Sequence, residues 1–237
     1  SLKDIDYAFK KGYKRGPENS TIIHNFCPSV VLGFHRLAIN GFNNPKSEQP
    51  LNYENCILIC NGEIYNWNEL HNTLNIPIDS TSDCEIIIHL YKKFGIEHTL
   101  KLLDGVYSFI LFDKSNNTIF VARDPFGIRP LFIGFSNESI LFSSIVSCIT
   151  PFNKYSFTNI KQFTPGTYSK YIKNENEHWE SIITNKCYYT SNVLSNPNLD
   201  FNSSVDLIYH SLVNAVKKRI INTDRPIACL LSGGLDS

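Results

Sequence analysis

The sequence has no surplus of charge: 22 lysines and arginines stand against 22 aspartates and glutamates in 237 residues. Without a bulk field of one sign, the chain has no electrostatic basis for binding nucleic acid or an anionic membrane. It also lacks any apolar run approaching the roughly 18 residues that a membrane span requires. The opening Ser1-Leu2-Lys3-Asp4-Ile5-Asp6 puts acids where a secretory signal is apolar. No two cysteines are spaced as CxxC. The seven present (Cys27, Cys56, Cys60, Cys84, Cys148, Cys187 and Cys229) are odd in number and widely scattered. That pattern disfavours both a disulfide framework and a metal site, and the seven histidines show no metal-ligand spacing either. The cysteines are expected to be small core residues of a protein kept in a reducing cytoplasm.

What is present suits a folded globular chain, 42% hydrophobic and 13% aromatic. Leu2, Ile5, Ala8 and Phe9 form a helical stripe that ends near Gly12. Residues 20–26 and 29–39 are β-rich, and a loop with Gly41, Pro45 and Pro50 leads to a further strand over 56–65. On that strand Cys56 and Cys60 share a face but stand about 13 Å apart, too far to bridge. The pattern predicts helices over 67–74 and 83–94, the second with Ser82 as N-cap and Glu85 at its third position. Two hairpins follow, 106–112 with 118–123 and 131–135 with 139–143, then β segments at 162–172 and 179–189. Antiparallel strands around two adjacent central helices predict an α+β layered sandwich. We expect three parts: residues 1–190 as one domain, 191–202 as a polar linker, and 203–237 as the beginning of a second domain. In the last part an amphipathic helix at 205–221 precedes a buried-type strand at 227–231.

Two motifs carry chemistry. The strand at 227–231 runs into Ser232-Gly233-Gly234-Leu235-Asp236-Ser237. Its hydroxyls and two residues without Cβ let a backbone turn approach a phosphate closely, where the plain alternative is a tight glycine turn. Asn61-Gly62-Glu63-Ile64-Tyr65-Asn66 lies where a strand ends, and an asparagine amide beside a glycine N–H offers two donors to one developing oxyanion. Upstream is His35-Arg36-Leu37-Ala38-Ile39, in which His35 supports Arg36, and downstream is Ser82-Asp83-Cys84-Glu85. A guanidinium grips a free carboxylate and acids grip an ammonium group, so the set suits a free amino acid. A structural Arg36–Asp83 ion pair is the plain alternative. The prolines of Asp124-Pro125-Phe126-Gly127-Ile128-Arg129-Pro130 read as a structural corner in which Phe126 packs.

These motifs occur in order with Arg15-Gly16-Pro17-Glu18, Gln49-Pro50 and Leu103-Asp104-Gly105. The series resembles the glutamine-hydrolysing asparagine synthetase family along essentially the whole chain. The early motifs are shared with other class II amidotransferases, and the closing phosphate loop favours the synthetases. The resemblance implies an N-terminal-nucleophile αββα sandwich followed by the first helix and strand of an α/β ATP-pyrophosphatase domain. It assigns the glutamine α-carboxylate to Arg36, pocket lining to Leu37 and Ile39, the oxyanion hole to Asn61 and Gly62, and the α-amino group to Glu63 and Asp83. It assigns ATP to Leu231, Ser232, Gly233, Gly234, Asp236 and Ser237, with Mg2+ bound mainly beyond this sequence and no cofactor in the glutaminase part. L-glutamine, ATP and L-aspartate are the implied substrates, with a homodimer compatible.

In that family a terminal cysteine attacks the side-chain amide, with its own α-amino group as base. No Cys-Gly-Ile stretch opens this sequence. Ser1 is therefore expected to be a truncation point, with the nucleophile upstream and this segment inactive alone. Two other readings remain: a sibling ATP-dependent synthetase of the β-lactam-forming kind, and a non-enzymatic, glutamine-binding remnant.

Overall fold

A computed structural model describes residues 2–27, 29–136, 139–155, 159–175, 178–191 and 200–235. Helix α1 (Leu2–Lys10) leads to β1 (Asn19–Cys27) and β2 (Val30–Arg36), an antiparallel pair with Asn19 opposite Arg36. Next come β3 (Leu51–Tyr53), β4 (Cys56–Ile64), α2 (Trp67–Leu74), α3 (Ile86–Phe94), α4 (Ile96–Leu102), β5 (Gly105–Asp113) and β6 (Thr118–Arg123). The remainder is β7 (Phe132–Phe135), β8 (Ile140–Ser143), β9 (Lys161–Gln162), β10 (Thr167–Lys173), β11 (Trp179–Cys187) and α5 (Phe201–Ile220). One sheet has the order β11-β10-β6-β5-β4-β3, all antiparallel, and a smaller one has the order β8-β7-β9.

The layers follow from period-2 alternation. Cys56, Leu58, Cys60 and Ile64 of β4, with Tyr107, Phe109 and Leu111 of β5, face α2, α3 and α4 and join Ile86, Ile87, Leu90 and Leu100 in the main core. From the opposite face Val121 and Tyr171 pack with Leu131, Ile140, Phe142 and Phe163, bringing in the smaller sheet. Helix α1 closes that side: Ala8 and Ile5 meet Leu141 and Phe152. It reaches β2 as well, where Phe9 stacks on His35 at 3.9 Å between centroids. The Phe9 carbonyl can only accept, so His35 Nε2 donates to it at 2.8 Å and Nδ1 accepts from the Ser20 hydroxyl at 2.7 Å. His35 thus ties α1 to the sheet. The result is helix, sheet, sheets, helix.

Several expectations need correction. The strand predicted over 162–172 is two strands, because Pro165 and Gly166 turn the chain between β9 and β10 and Gly166 takes a φ of +63°. The run 29–39 leaves the sheet after Arg36. Ser82 makes no side-chain cap; Glu85 instead accepts the Asp79 and Ser80 amides at 3.0 and 2.8 Å and pairs with His89 at 3.1 Å. Cys56, Cys60 and Cys84 are core residues, whereas Cys187 and Cys229 are exposed and Cys27 and Cys148 half-buried. Phe126 is 71% exposed and leans on Tyr189 rather than packing into the interior. The strand expected at 227–231 pairs with no sheet among the described residues, and Leu230 is 99% exposed, because a buried-type strand needs neighbours to cover it. Helix α5 forms, but none of its side chains is buried. Of the expected linker, residues 192–199 lie outside the described residues. Among the described residues no helix is long and apolar enough to cross a membrane.

Glu85 gives a pH prediction. Burial alone would raise its carboxyl, but His89, Ser80 and Asp79 hold it down to about 2. A carboxyl depressed below its unfolded value stabilises above the unfolded pKa and loses that contribution as pH falls through the folded one. About 3 kcal/mol present above pH ~5 is therefore lost towards pH ~2. Urea unfolding should show Glu85→Gln destabilised at pH 6 and level with the parent near pH 2. An equal gap at both would remove this role.

Candidate active site

Between the two β layers lies a cavity of about 1600 Å³. Its apolar part is lined by Ile110, Phe112, Ile119 and Phe142, and its polar part by Arg36, Asn61, Gly62, Glu63, Asp83 and Arg129. Leu37 and Ile39 also border it. One space thus gathers every residue assigned above to glutamine.

Strand β4 builds the central element. Its edge beside β3 is paired only as far as Leu58, and beyond that the alternate residues Cys60, Gly62 and Ile64 turn their amides away from β5. The Gln49 side chain clamps the first of these: Cys60 N donates to Oε1 at 2.6 Å, and Nε2 donates to the Cys60 carbonyl at 2.9 Å. The third, Ile64 N, donates to Asp83 Oδ2 at 2.6 Å. Tyr107, opposite Gly62, has its own N–H and C=O on Asp124, so Gly62 and Tyr107 are a non-hydrogen-bonded pair. The Gly62 N–H therefore lies on the free edge, between two fixed neighbours and facing the cavity. A Cβ on Gly62 would meet the Val106 carbonyl oxygen at 2.4 Å, so only glycine permits this approach of the strands. Asn61 projects into the cavity, where its Nδ2 donates to Ser144 Oγ at 3.2 Å.

Arg36 ends β2, and its Nη2 donates to the carbonyls of Asn40 and Gly41 at 3.2 and 2.8 Å. Asp83 is 5% exposed and takes Ile64 rather than Arg36, so the ion pair weighed above does not form. Burial pushes its carboxyl up to about 6, against the opposing pull of the Ile64 hydrogen bond. Glu63 accepts from Arg129 Nη2 at 2.6 Å, both side chains being largely shielded. Leu37 is exposed at the rim, and the Ile39 carbonyl accepts from Asp224 N at 3.1 Å. Gly233 and Gly234 lie in an exposed turn after Ser232, with Leu231 exposed before it; Asp236 and Ser237 lie outside the described residues.

Sequence reasoning missed Gln49, Arg129 and Ser144. Gln49-Pro50 and the Asp124–Pro130 corner stood out as motifs without a role, and Ser144 carries no local signal. The corner is built around Asp124, which accepts the Phe126, Ile128 and Arg129 amides at 3.1, 2.9 and 2.9 Å and so aims Arg129 at Glu63. The three thiols beside the cavity, those of Cys60, Cys84 and Cys148, are poor nucleophiles, and burial raises Cys148. Cys84 is pushed well above its ordinary value by the Cys60 sulfur and by burial, and Cys60 faces the helices with 1% exposure.

Comparison with known proteins agrees with this geometry. Residues 2–183 match the glutamine amidotransferase domain family, and residues 207–237 match asparagine synthase. The asparagine synthetase [glutamine-hydrolyzing] of Mus musculus is 35% identical over 94% of this chain and 42% of its own length. That of Homo sapiens is 34% identical with the same coverage. The chain thus spans less than half the length of these curated relatives. Among solved structures, the glutamine phosphoribosylpyrophosphate amidotransferase from B. subtilis superposes with a TM-score of 0.53 at 24% identity, over 68% of this chain and 35% of that one. A structure described as the allosteric regulatory enzyme of purine biosynthesis gives 0.54 at 25%, with the same coverage. The α+β sandwich is that of the N-terminal-nucleophile amidotransferases, and the chain belongs to the glutamine amidotransferase domain family.

Proposed function

We propose that the chain is the glutamine-hydrolysing part of an asparagine synthetase, with residues 1–190 as the glutaminase unit, 191–202 as linker and 203–237 opening the ATP-dependent unit. The carrying observation is the single cavity lined by Arg36, Asn61, Gly62, Glu63 and Asp83. Arg36, now on two backbone carbonyls, receives the α-carboxylate. Asp83 and Glu63 receive the α-ammonium, Glu63 keeping Arg129 as its second partner. The Gly62 N–H and Asn61 Nδ2 meet the oxyanion, and Ser144 holds the Asn61 amide until substrate arrives. In the family's reaction a terminal cysteine attacks the side-chain amide carbon while its own amine takes the thiol proton. Ammonia leaves and a glutamyl thioester forms, which water hydrolyses to glutamate. ATP adenylates the aspartate carboxylate with loss of pyrophosphate, and ammonia then displaces AMP from the adenylate to give asparagine.

The phosphates of ATP are assigned to Ser232, Gly233 and Gly234 with Asp236 and Ser237. In support, Gly233 has a φ of +76° and its Cβ position meets no atom within 4 Å, so the backbone is open to a ligand. Mg2+ is assigned with ATP. Among the described residues no group of three His, Cys, Asp or Glu could hold a metal ion. We place the protein in the cytoplasm.

The oxyanion assignment is tested in a chain that carries a terminal cysteine ahead of these residues. Asn61→Ala should lower kcat for glutamate release by about 10²–10³-fold with little change in KM, because the donor acts on charge present only in the transition state. An unchanged kcat removes Asn61 from the site.

A further inference from the structure

The loop that orients Arg36 is gripped from behind by residues of the asparagine synthase part. Gly41 N donates to Asp224 Oδ2 at 2.7 Å. The Ile39 carbonyl accepts from Asp224 N at 3.1 Å and from the Thr223 hydroxyl at 3.3 Å. The Ala38 carbonyl accepts from Arg225 Nε at 3.1 Å. The Arg225 guanidinium also pairs with Glu18, whose other oxygen takes Ala38 N at 2.8 Å, and it stacks 3.7 Å from the centroid of Phe42. The remaining carbonyls, those of Asn40 and Gly41, go to Arg36. The Arg36 guanidinium thus holds the loop from one side and residues 223–225 hold it from the other, with Glu18 on Ala38 N. Gly41 has a φ of +65°, and a Cβ there would meet Ser47 Oγ at 2.3 Å, so the turn of this loop requires glycine at this position.

A second anchor lies one turn earlier. Asn222 Nδ2 donates to the Tyr65 carbonyl at 2.7 Å, and Lys218 pairs with Asp104 at 2.5 Å. Tyr65 follows Ile64, whose amide holds Asp83. Both the carboxylate-binding and the ammonium-binding sides of the cavity are therefore tied to the segment that leads, seven residues after Arg225, to Ser232.

We propose that Asp224 and Arg225 are positioning residues for the glutamine site: they hold the 38–42 loop so that Arg36 presents its guanidinium to the amino-acid carboxylate. This rests on the glutamine reading above. It gives residues 222–225 a role in the glutaminase unit although they lie within the asparagine synthase match.

The test compares the parent chain with Asp224→Ala, Arg225→Ala and Asp224→Asn, measuring glutamine affinity by calorimetry and amide exchange across residues 36–42. Loss of one or two hydrogen bonds to the loop should weaken glutamine binding about tenfold in each alanine variant and speed exchange at Gly41 by a similar factor. Exchange in β4 and β5 should not change. Asp224→Asn keeps an oxygen for Gly41 N and should bind within about twofold of the parent, a rescue that loss of overall stability would not produce. Faster loop exchange with unaltered glutamine affinity overturns the proposal, and so does unaltered exchange. A parent chain that binds no glutamine defeats the glutamine reading instead, and with it any positioning of that ligand, while loop exchange then reports only on the fold.

Discussion

Replacing Asp83 by asparagine is expected to weaken glutamine binding by about 100-fold, the size of a lost charge-assisted hydrogen bond in a shielded site, while making the unliganded chain more stable. The two effects share a cause. Asp83 is buried, its carboxylate accepting from the Ile64 amide at 2.6 Å and from the Cys84 thiol at 3.9 Å, and burial pushes it up to about 6. A carboxyl whose folded pKa lies above the unfolded value holds its proton longer in the native state. Stability is then highest below pH ~4 and falls as pH rises to ~6, by about 3 kcal/mol for a shift of this size. The asparagine keeps an oxygen for Ile64 N and removes that loss, so its unfolding midpoint should exceed the parent's at pH 7 and not at pH 4. In the parent, glutamine affinity should fall about tenfold per unit below pH 6, as the proton displaces the ammonium group. A purely structural Asp83 predicts the reverse: lower stability and pH-independent binding.

Arg123→Ala is expected to cost about 3–5 kcal/mol, a drop of roughly 10 °C in Tm for a chain of this size. Arg123 is buried, and its guanidinium donates to the carbonyls of Arg129, Phe163 and Gly127 at 2.8, 2.7 and 2.7 Å. Its removal takes the donor from three carbonyls, the Phe163 one buried and those of Arg129 and Gly127 partly so, and leaves a void under the corner that aims Arg129 at Glu63. Thermal unfolding followed by circular dichroism reads the effect, and a Tm within 2 °C of the parent would mean the corner is held by Asp124 and its prolines alone.

Much of this architecture was legible because local pattern and tertiary demand agree. β4, β5 and β6 are short, largely apolar runs buried on both faces, and α2 begins and ends at the residues its periodicity suggests. The misses fall where long-range contacts decide. Ser82 looks like a cap, but Glu85 is drawn to the 79–80 amides and to His89, which no sequence window displays. Residues 227–231 have the composition of a covered strand and here have no cover. In the site, Arg36, Asn61, Gly62 and Asp83 stood out because their chemistry is visible in short motifs. Gln49, Ser144 and Arg129 reach the cavity across 11, 83 and 66 residues of chain, a distance that periodicity does not span.

The most direct test of the account is a calorimetric titration of L-glutamine into the chain at pH 7, with D-glutamine and L-glutamate alongside. The arrangement predicts saturable binding of L-glutamine with a Kd of about 1 mM or tighter, discrimination against the D-isomer, and loss of the signal in Arg36→Ala. Equal heats for the two enantiomers, or full binding by Arg36→Ala, would contradict the claim that this cavity is built to hold a free amino acid by both its charged groups.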